Sequence, residues 1–280
     1  MPSRFTVIFA IVLIEALMFA APSHAGDTIM QKPIRWLFHG PGIAAIAADD
    51  AVARILDDTQ PFVMKGRNID AAPSRWNAIP FASFTSFRAM RNALAQGTLA
   101  PDVKGIMYDN EKWQFTPSVE QENPERYERL AADLVHSRGL LFISAPAVNL
   151  VAVLAPESPD KRYDTYLRLG IAAEAARYAD VVDIQAQGSE RNTKLYANFV
   201  SQAAAQAREA NPKVQVFAGI STNPSGQQVT AEDILRAIAA TRDNVDGYWL
   251  NIPQPSEYCP RCNGFRPDIA VEVLRRLAKP

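Results

Sequence analysis

Hydrophobic positions along this chain recur in two alternating rhythms. Short β-rich runs come first in each pair: IRWLFHG from Ile34, PFVMKG from Pro61, AIPFASF from Ala78 and VKGIMYDNE from Val103, then GLLFISAPA from Gly139, DVVDIQAQG from Asp180, VQVFAGIST from Val214 and DGYWLNIP from Asp246. Each reads as a buried strand. Between them the apolar residues recur at the three- and four-residue spacing of a helix. Before the fifth run, Asn123 can cap, Pro124 suits a first helical position, and Tyr127, Leu130, Ala131, Leu134 and Val135 fall on one face. A second helix starts at Thr230, with Asp233 three residues on as in a capping box, and turns Ile234, Leu235 and Ile238 inward. Residues 162–179 and 194–210 are equally helical, and Pro267 opens a closing helix over 268–279. The segment RNIDAAPSRWN, between the second and third runs, leaves room for only a turn or two.

Strand and helix alternate eight times without a linker, a low-complexity tract or a run of like charge. That count and length predict an α/β chain folded as a (β/α)₈ barrel, a TIM barrel, whose typical size is about 250 residues. A doubly wound dinucleotide fold is the competitor. It wants a glycine-rich turn after the first strand, and FHGPGIAAIA offers only Gly40 and Gly42.

The first 25 residues stand apart. A short basic start, an apolar stretch interrupted by Glu15, and Ser23-His24-Ala25 before Gly26 read as a secretory signal peptide over 1–25. The barrel domain is then a single domain over 26–280. An uncleaved anchor is the alternative, but the apolar run is shorter than the roughly 20 residues that span a bilayer. The expected location is therefore secreted or periplasmic, with no membrane association after cleavage. Export also colours the two cysteines, Cys259 and Cys262 in EYCPRCNG, which are expected to form a local disulfide pinning a loop. Half of a zinc knuckle is the other reading, and no second pair of cysteines exists to complete it.

Net charge is −1 over 280 residues, with no run of like charge to make a basic face, so no nucleic-acid partner is expected. Of three histidines, His24 falls in the signal peptide and only His39 and His136 remain. No metal and no organic cofactor is implied.

In a barrel the chemistry sits where strands end and loops begin. His39, Lys65, Arg67, Ser83, Thr85, Ser144, Asn149, Ser221 and Thr222 all fall near such ends. The most pointed stretch is KGIMYDNEKW, residues 104–113. Positions i and i+2 of a strand share a face, so Asp109 and Glu111 both project into the mouth, roughly 6–7 Å apart. Two close carboxylates repel, and burial raises the pKa of at least one, which suits a general acid. The alternative is that Lys65, Arg67 or Lys112 pairs with them to hold the rim together. Asp183, Gln185 and Gln187 alternate onto one face in the sixth run, making Asp183 a candidate second acid and Glu190 a weaker one. Trp113, Trp249 and Tyr258 supply flat rings of the kind that sugars stack on.

The stretch from Lys104 to Glu111 resembles the fourth-strand motif D-G-x-D-x-D-x-E of chitinase-type glycoside hydrolases, family eighteen. Gly105, Asp109 and Glu111 match, and Lys104 and Met107 stand where that family has aspartates. The resemblance implies a glycoside hydrolase barrel acting on carbohydrate, with Glu111 as proton donor and Asp109 as its polarising partner in catalysis. In that family the aspartate orients the substrate's N-acetyl group, which acts as nucleophile. It also implies a sugar floor at Trp249 in DGYWLN, whereas DIQAQG lacks the tyrosine the family carries on its sixth strand. Trp113, Gln185, Gln187, Trp249 and Asn251 are the expected substrate-binding residues. Two alternatives remain open. One is a catalytically silent glycan-binding barrel. The other is a lyase or isomerase on a phosphorylated substrate, using the loop STNPSGQQVT and a Schiff-base Lys65.

Overall fold

In the computed structural model, which describes residues 33–39, 41–65, 72–158 and 161–278, all eight β-rich runs form strands: β1 (Arg35–His39), β2 (Phe62–Met64), β3 (Ile79–Phe84), β4 (Gly105–Tyr108), β5 (Leu141–Ser144), β6 (Val181–Ile184), β7 (Gln215–Ser221) and β8 (Gly247–Asn251). They pair in parallel in chain order, and β8 closes on β1 over five residue pairs, Arg35 with Gly247 through His39 with Asn251. This is the (β/α)₈ barrel. The predicted signal peptide, the start at Gly26, Gly40 and Arg67 lie outside the described residues. Among the described residues no helix is long and apolar enough to cross a membrane.

The helices are α1 (Gly42–Ala48), α2 (Asp50–Ile55), α3 (Phe87–Gln96), α4 (Ser118–Glu122), α5 (Pro124–His136), α6 (Val151–Leu154), α7 (Arg162–Leu169), α8 (Ile171–Ala176), α9 (Thr193–Ala210), α10 (Ala231–Thr241) and α11 (Pro267–Leu277). Their starts follow from local chemistry. Ser86 accepts from Ala89 N at the head of α3, Asn192 from Leu195 N at the head of α9, and Thr230 forms a reciprocal capping box with Asp233. The helical stretch expected over 162–179 is broken at Gly170 into α7 and α8.

Between β2 and β3 the described residues contain a single 3₁₀ turn, Ser74–Trp76, in place of a helix. Trp76 explains how the gap is filled. It is fully buried, its indole Nε1 donates to Ala53 O at 2.8 Å, and its ring lies 6.2 Å from Phe38. One large ring covers the outer face that a helix would otherwise cover.

Outward-facing residues such as Phe38, Ile106, Tyr108, Val182, Ala218 and Leu250 pack into the main core against the helices. Inward-facing residues fill the barrel. The strand registers place Leu37, Phe81, Ile143 and Phe217 in one interior layer, from alternate strands, and Met64, Met107, Asp183 and Trp249 in the layer above. At the base Arg35 donates to the Gln215 side chain and lies 4.9 Å over the Phe62 ring. Gly247 is required here by close approach. A Cβ at that position would come within 2.4 Å of both Arg35 O and the Phe217 ring.

Candidate functional site at the barrel mouth

β4 delivers the acids as its alternation dictates. Gly105 and Met107 face inward, Ile106 and Tyr108 face the helices, and the strand's continuation turns Asp109 and Glu111 into the mouth. Asp109 is almost completely buried. Its Oδ1 accepts from Gln185 Nε2 at 2.8 Å, and the same amide group donates to Ala145 O at 2.7 Å. Burial, then the Glu111 and Asp183 charges, hold the Asp109 carboxyl well above the usual carboxylate range, with the Gln185 hydrogen bond opposing them.

Glu111 is half-buried, and burial pushes its pKa up to about 7. Asn149 opposes this by donating from Nδ2 to Glu111 Oε2 at 3.1 Å, while its Oδ1 accepts from Lys112 N at 2.8 Å. The loop beyond is tied down by Thr116. That hydroxyl donates to Thr85 O at 2.7 Å and accepts from Trp113 Nε1 at 2.8 Å. Gln121 Nε2 donates to Trp113 O and Thr116 O. The acids are therefore mounted on a hydrogen-bonded frame, and the sequence motif signals none of its members. Asn149 is visible in the sequence only as a polar residue after the fifth strand.

Asp183 lies deeper, as its position two residues before Gln185 predicts. It is fully buried in the interior layer shared with Met107 and Trp249, neither carboxyl oxygen has a hydrogen-bond partner, and burial raises its pKa strongly. Trp249 is also interior, with its ring edge-on to His39 at 5.8 Å and its Nε1 unpartnered. It forms the floor beneath the mouth. His39 is pushed down to about 4 by burial, so its imidazole is neutral at physiological pH. Gln187 lies against Gly219, where a Cβ would meet its amide carbon at 2.5 Å. Asn251 ends β8, across the barrel from β4, and its carbonyl accepts from Thr222 N. Trp113 sits on the rim in edge-on contact with Phe115 at 5.2 Å.

Several expectations are corrected. Ser144 does not reach the mouth. Its alternation turns it to the helix side, where it faces the buried Glu128 of α5, and Ala145 points inward instead. Glu128 stands in the middle of the buried face expected for α5, whose fully buried residues are Glu128, Ala131, Ala132 and Val135. Lys65 forms an ion pair with Asp102 at 3.0 Å, away from the acids. The loop after β7 offers no open phosphate cradle. Ser221 N donates to Glu190 Oε2 at 2.8 Å, Thr222 N to Asn251 O, and Asn223 N to Ser221 Oγ. Glu232 and Asp233 in the first turn of α10 repel a phosphate. Glu190 is engaged there, accepting from Ser221 N. Cys259 and Cys262 are bonded to each other. Among the described residues no three His, Cys, Asp or Glu side chains converge as metal ligands.

No protein-family model matches the chain, and no curated protein matches it. Solved structures do. A "putative alpha-L-fucosidase" from Bacteroides thetaiotaomicron is similar at 10% identity with a TM-score of 0.52, over 95% of this chain and 98% of that one. A family 17 β-1,3-glucanosyltransferase from Rhizomucor miehei gives 11% identity and a TM-score of 0.46 over 80% and 88%, and triosephosphate isomerase from Bartonella henselae gives 10% and 0.43 over 79% and 92%. At such identity the likeness shows the fold alone.

Proposed function

We propose that the chain is an exported glycoside hydrolase in which Glu111 protonates the leaving oxygen of a glycosidic bond and Asp109 assists from the same strand end. The observation that carries this reading is the Glu111 carboxyl. It stands at the mouth of the barrel with its pKa lifted to about 7, beside a second carboxyl whose pKa burial also raises. A group poised near neutrality holds a proton to give and takes it back at the end of the cycle.

As the proton moves from Glu111 to the glycosidic oxygen, the C–O bond pair goes with it and positive charge develops at the anomeric carbon. Two-carboxylate glycosidases answer that charge from the other side of the sugar, with a separation of about 5–9.5 Å between the acids. Here the companions of Glu111 are Asp109, also just beyond β4, and Asp183 in the layer below, and Glu190 is engaged with Ser221 N. The arrangement favours a substrate that carries its own nucleophile. An N-acetylated sugar does so through its amide oxygen, and Asp109, steadied by Gln185, would orient that amide, as in the family the fourth-strand motif resembles. Gln187, Asn251, Trp113 and the Trp249 floor would position the sugar. Export is supported by the disulfide and by the leader-like residues 1–25.

The test is reducing-end release from a glycan panel that includes N-acetylated sugars, with wild type and Glu111→Gln side by side and affinity measured in parallel. Turnover by wild type, with binding but no turnover by the variant, is expected. Affinity without release in wild type would instead identify a silent glycan binder, and undiminished activity of Glu111→Gln would sink the site assignment.

A further inference from the structure

In a closed eight-stranded barrel β4 and β8 lie opposite each other, four strands apart in either direction. The segment after β8, residues 252–266, nevertheless meets the segment after β4. Tyr258 packs on Phe115 with ring centroids 4.6 Å apart and on Trp113 at 6.2 Å, and these are the rings that follow Glu111 by four and two residues. From Ile252 to Tyr258 an extended chain reaches roughly 20 Å, enough to cross such a mouth.

The other end of the segment is held at β7. Asn223 Nδ2 donates to Asn263 Oδ1 at 3.2 Å and Gly264 O at 3.1 Å, and the buried Cys262 lies 3.7 Å from Asn223 O. Gly226, with a φ of 81°, lets the two loops touch, since a Cβ there would sit 2.0 Å from Arg261 O. Between these ends the Cys259–Cys262 disulfide and the Ser256–Cys259 bridge close the segment into one compact unit. Asp109 is 8% exposed although it ends a strand at the rim, while Tyr258 is 58% exposed, as the outer surface of a cover would be.

We infer that residues 252–266 form a strap across the barrel mouth, latched by Tyr258 on Phe115 and Trp113, which makes the site a blind pocket for a glycan chain end or a short glycoside rather than for the interior of a long polymer. This rests on the glycosidase reading. A chain passing straight through needs an open cleft on both sides of the proton donor, and the strap bridges from the β7 loop to the β4 loop. The Tyr258 ring is the piece that closes the far side; it stacks on Phe115 and Trp113 and is more than half exposed, so its removal opens the latch without touching the core.

The experiment compares wild type with Tyr258→Ala on a soluble polymer and on a short aryl glycoside of the same sugar. Wild type should release short products with little loss of polymer viscosity. Tyr258→Ala should raise the polymer-to-glycoside ratio of kcat/KM by roughly tenfold or more. Rapid viscosity loss with wild type, or a ratio unchanged in the variant, overturns the strap. A second arm needs no turnover and keeps the two readings separable. In a Trp113→Phe background the remaining tryptophans are Trp36 and Trp76, buried outside the barrel, and Trp249 beneath the mouth. Adding Tyr258→Ala should at least double acrylamide quenching if the strap covers Trp249, and unchanged quenching overturns the inference even if no glycan is ever cleaved.

Discussion

Glu111→Gln should stabilise the protein at alkaline pH while removing the proposed proton donor. The carboxyl has a folded-state pKa of about 7 against an ordinary value of 4.5, burial being the cause. Below pH 4.5 the group is protonated whether the chain is folded or not, and it contributes nothing to the pH dependence. Between 4.5 and 7 the unfolded chain releases its proton while the folded chain keeps it, so stability falls as pH rises; above 7 the loss is complete and constant. A shift of this size corresponds to about 3 kcal/mol. Glutamine keeps the shape and can still accept from Asn149, but it never needs to ionise. It also removes a charge that raises Asp109. Urea unfolding of the two proteins at pH 4.5 and pH 8.5 measures the difference. The expectation is near-equality at the lower pH and a gain of about 2–3 kcal/mol for the variant at the higher, a rise in Tm of roughly 5–10 °C. Equal stability at both pH values would refute the claim that the folded protein holds this carboxyl near 7, and with it the reason for choosing Glu111 as donor.

Asn149→Ala removes the hydrogen bond that favours the charged form of Glu111, so the alkaline limb of kcat/KM should move upward by about half to one pH unit; a limb that stays put or moves down contradicts the assigned contact. Gly247→Ala forces a methyl against Arg35 O and the Phe217 ring and should cost about 1–3 kcal/mol or more in urea unfolding. Gly264→Ala, which meets nothing within 4 Å, is its control.

The strands and most of the helices were legible because each depends on local pattern. Eight β-rich runs separated by helical spacing leave few topologies, and Thr230 with Asp233, or Pro267 at a helix start, mark boundaries by chemistry that acts within one turn. The placement of Asp109 and Glu111 was legible for the same reason, since period-two alternation needs no knowledge of the partner strands. What could not be read is whatever depends on residues distant in sequence. That Ser144 ends a strand is legible, but which face it takes is set by the phase of β5 in the closed barrel, and nothing local distinguishes a buried glutamate such as Glu128 from an exposed one. Trp76 standing in for a helix, Asn149 bracing Glu111 from 38 residues away, and Tyr258 meeting Phe115 are likewise products of the closed barrel.

A displaced pKa alone does not single out Glu111. Among the described residues, burial raises five carboxyls: Asp109, Glu111, Glu128, Asp183 and Glu190. Glu128, at about 8, is displaced further than Glu111, yet it lies on the helix side of the sheet between α5 and Ser144, where no substrate can reach. Asp183 is sealed in the interior and Glu190 is bonded to the backbone of the β7 loop. Each of these three lowers the stability of the folded chain as pH rises, without access to anything outside it. Glu111 combines a pKa near neutrality with a side chain that is only partly buried, a neighbouring carboxyl and a braced loop. Among the described residues, perturbation narrows the choice to five groups, and access reduces it to the pair that follows β4, of which Glu111 is the outer member and the one a glycosidic oxygen would meet first.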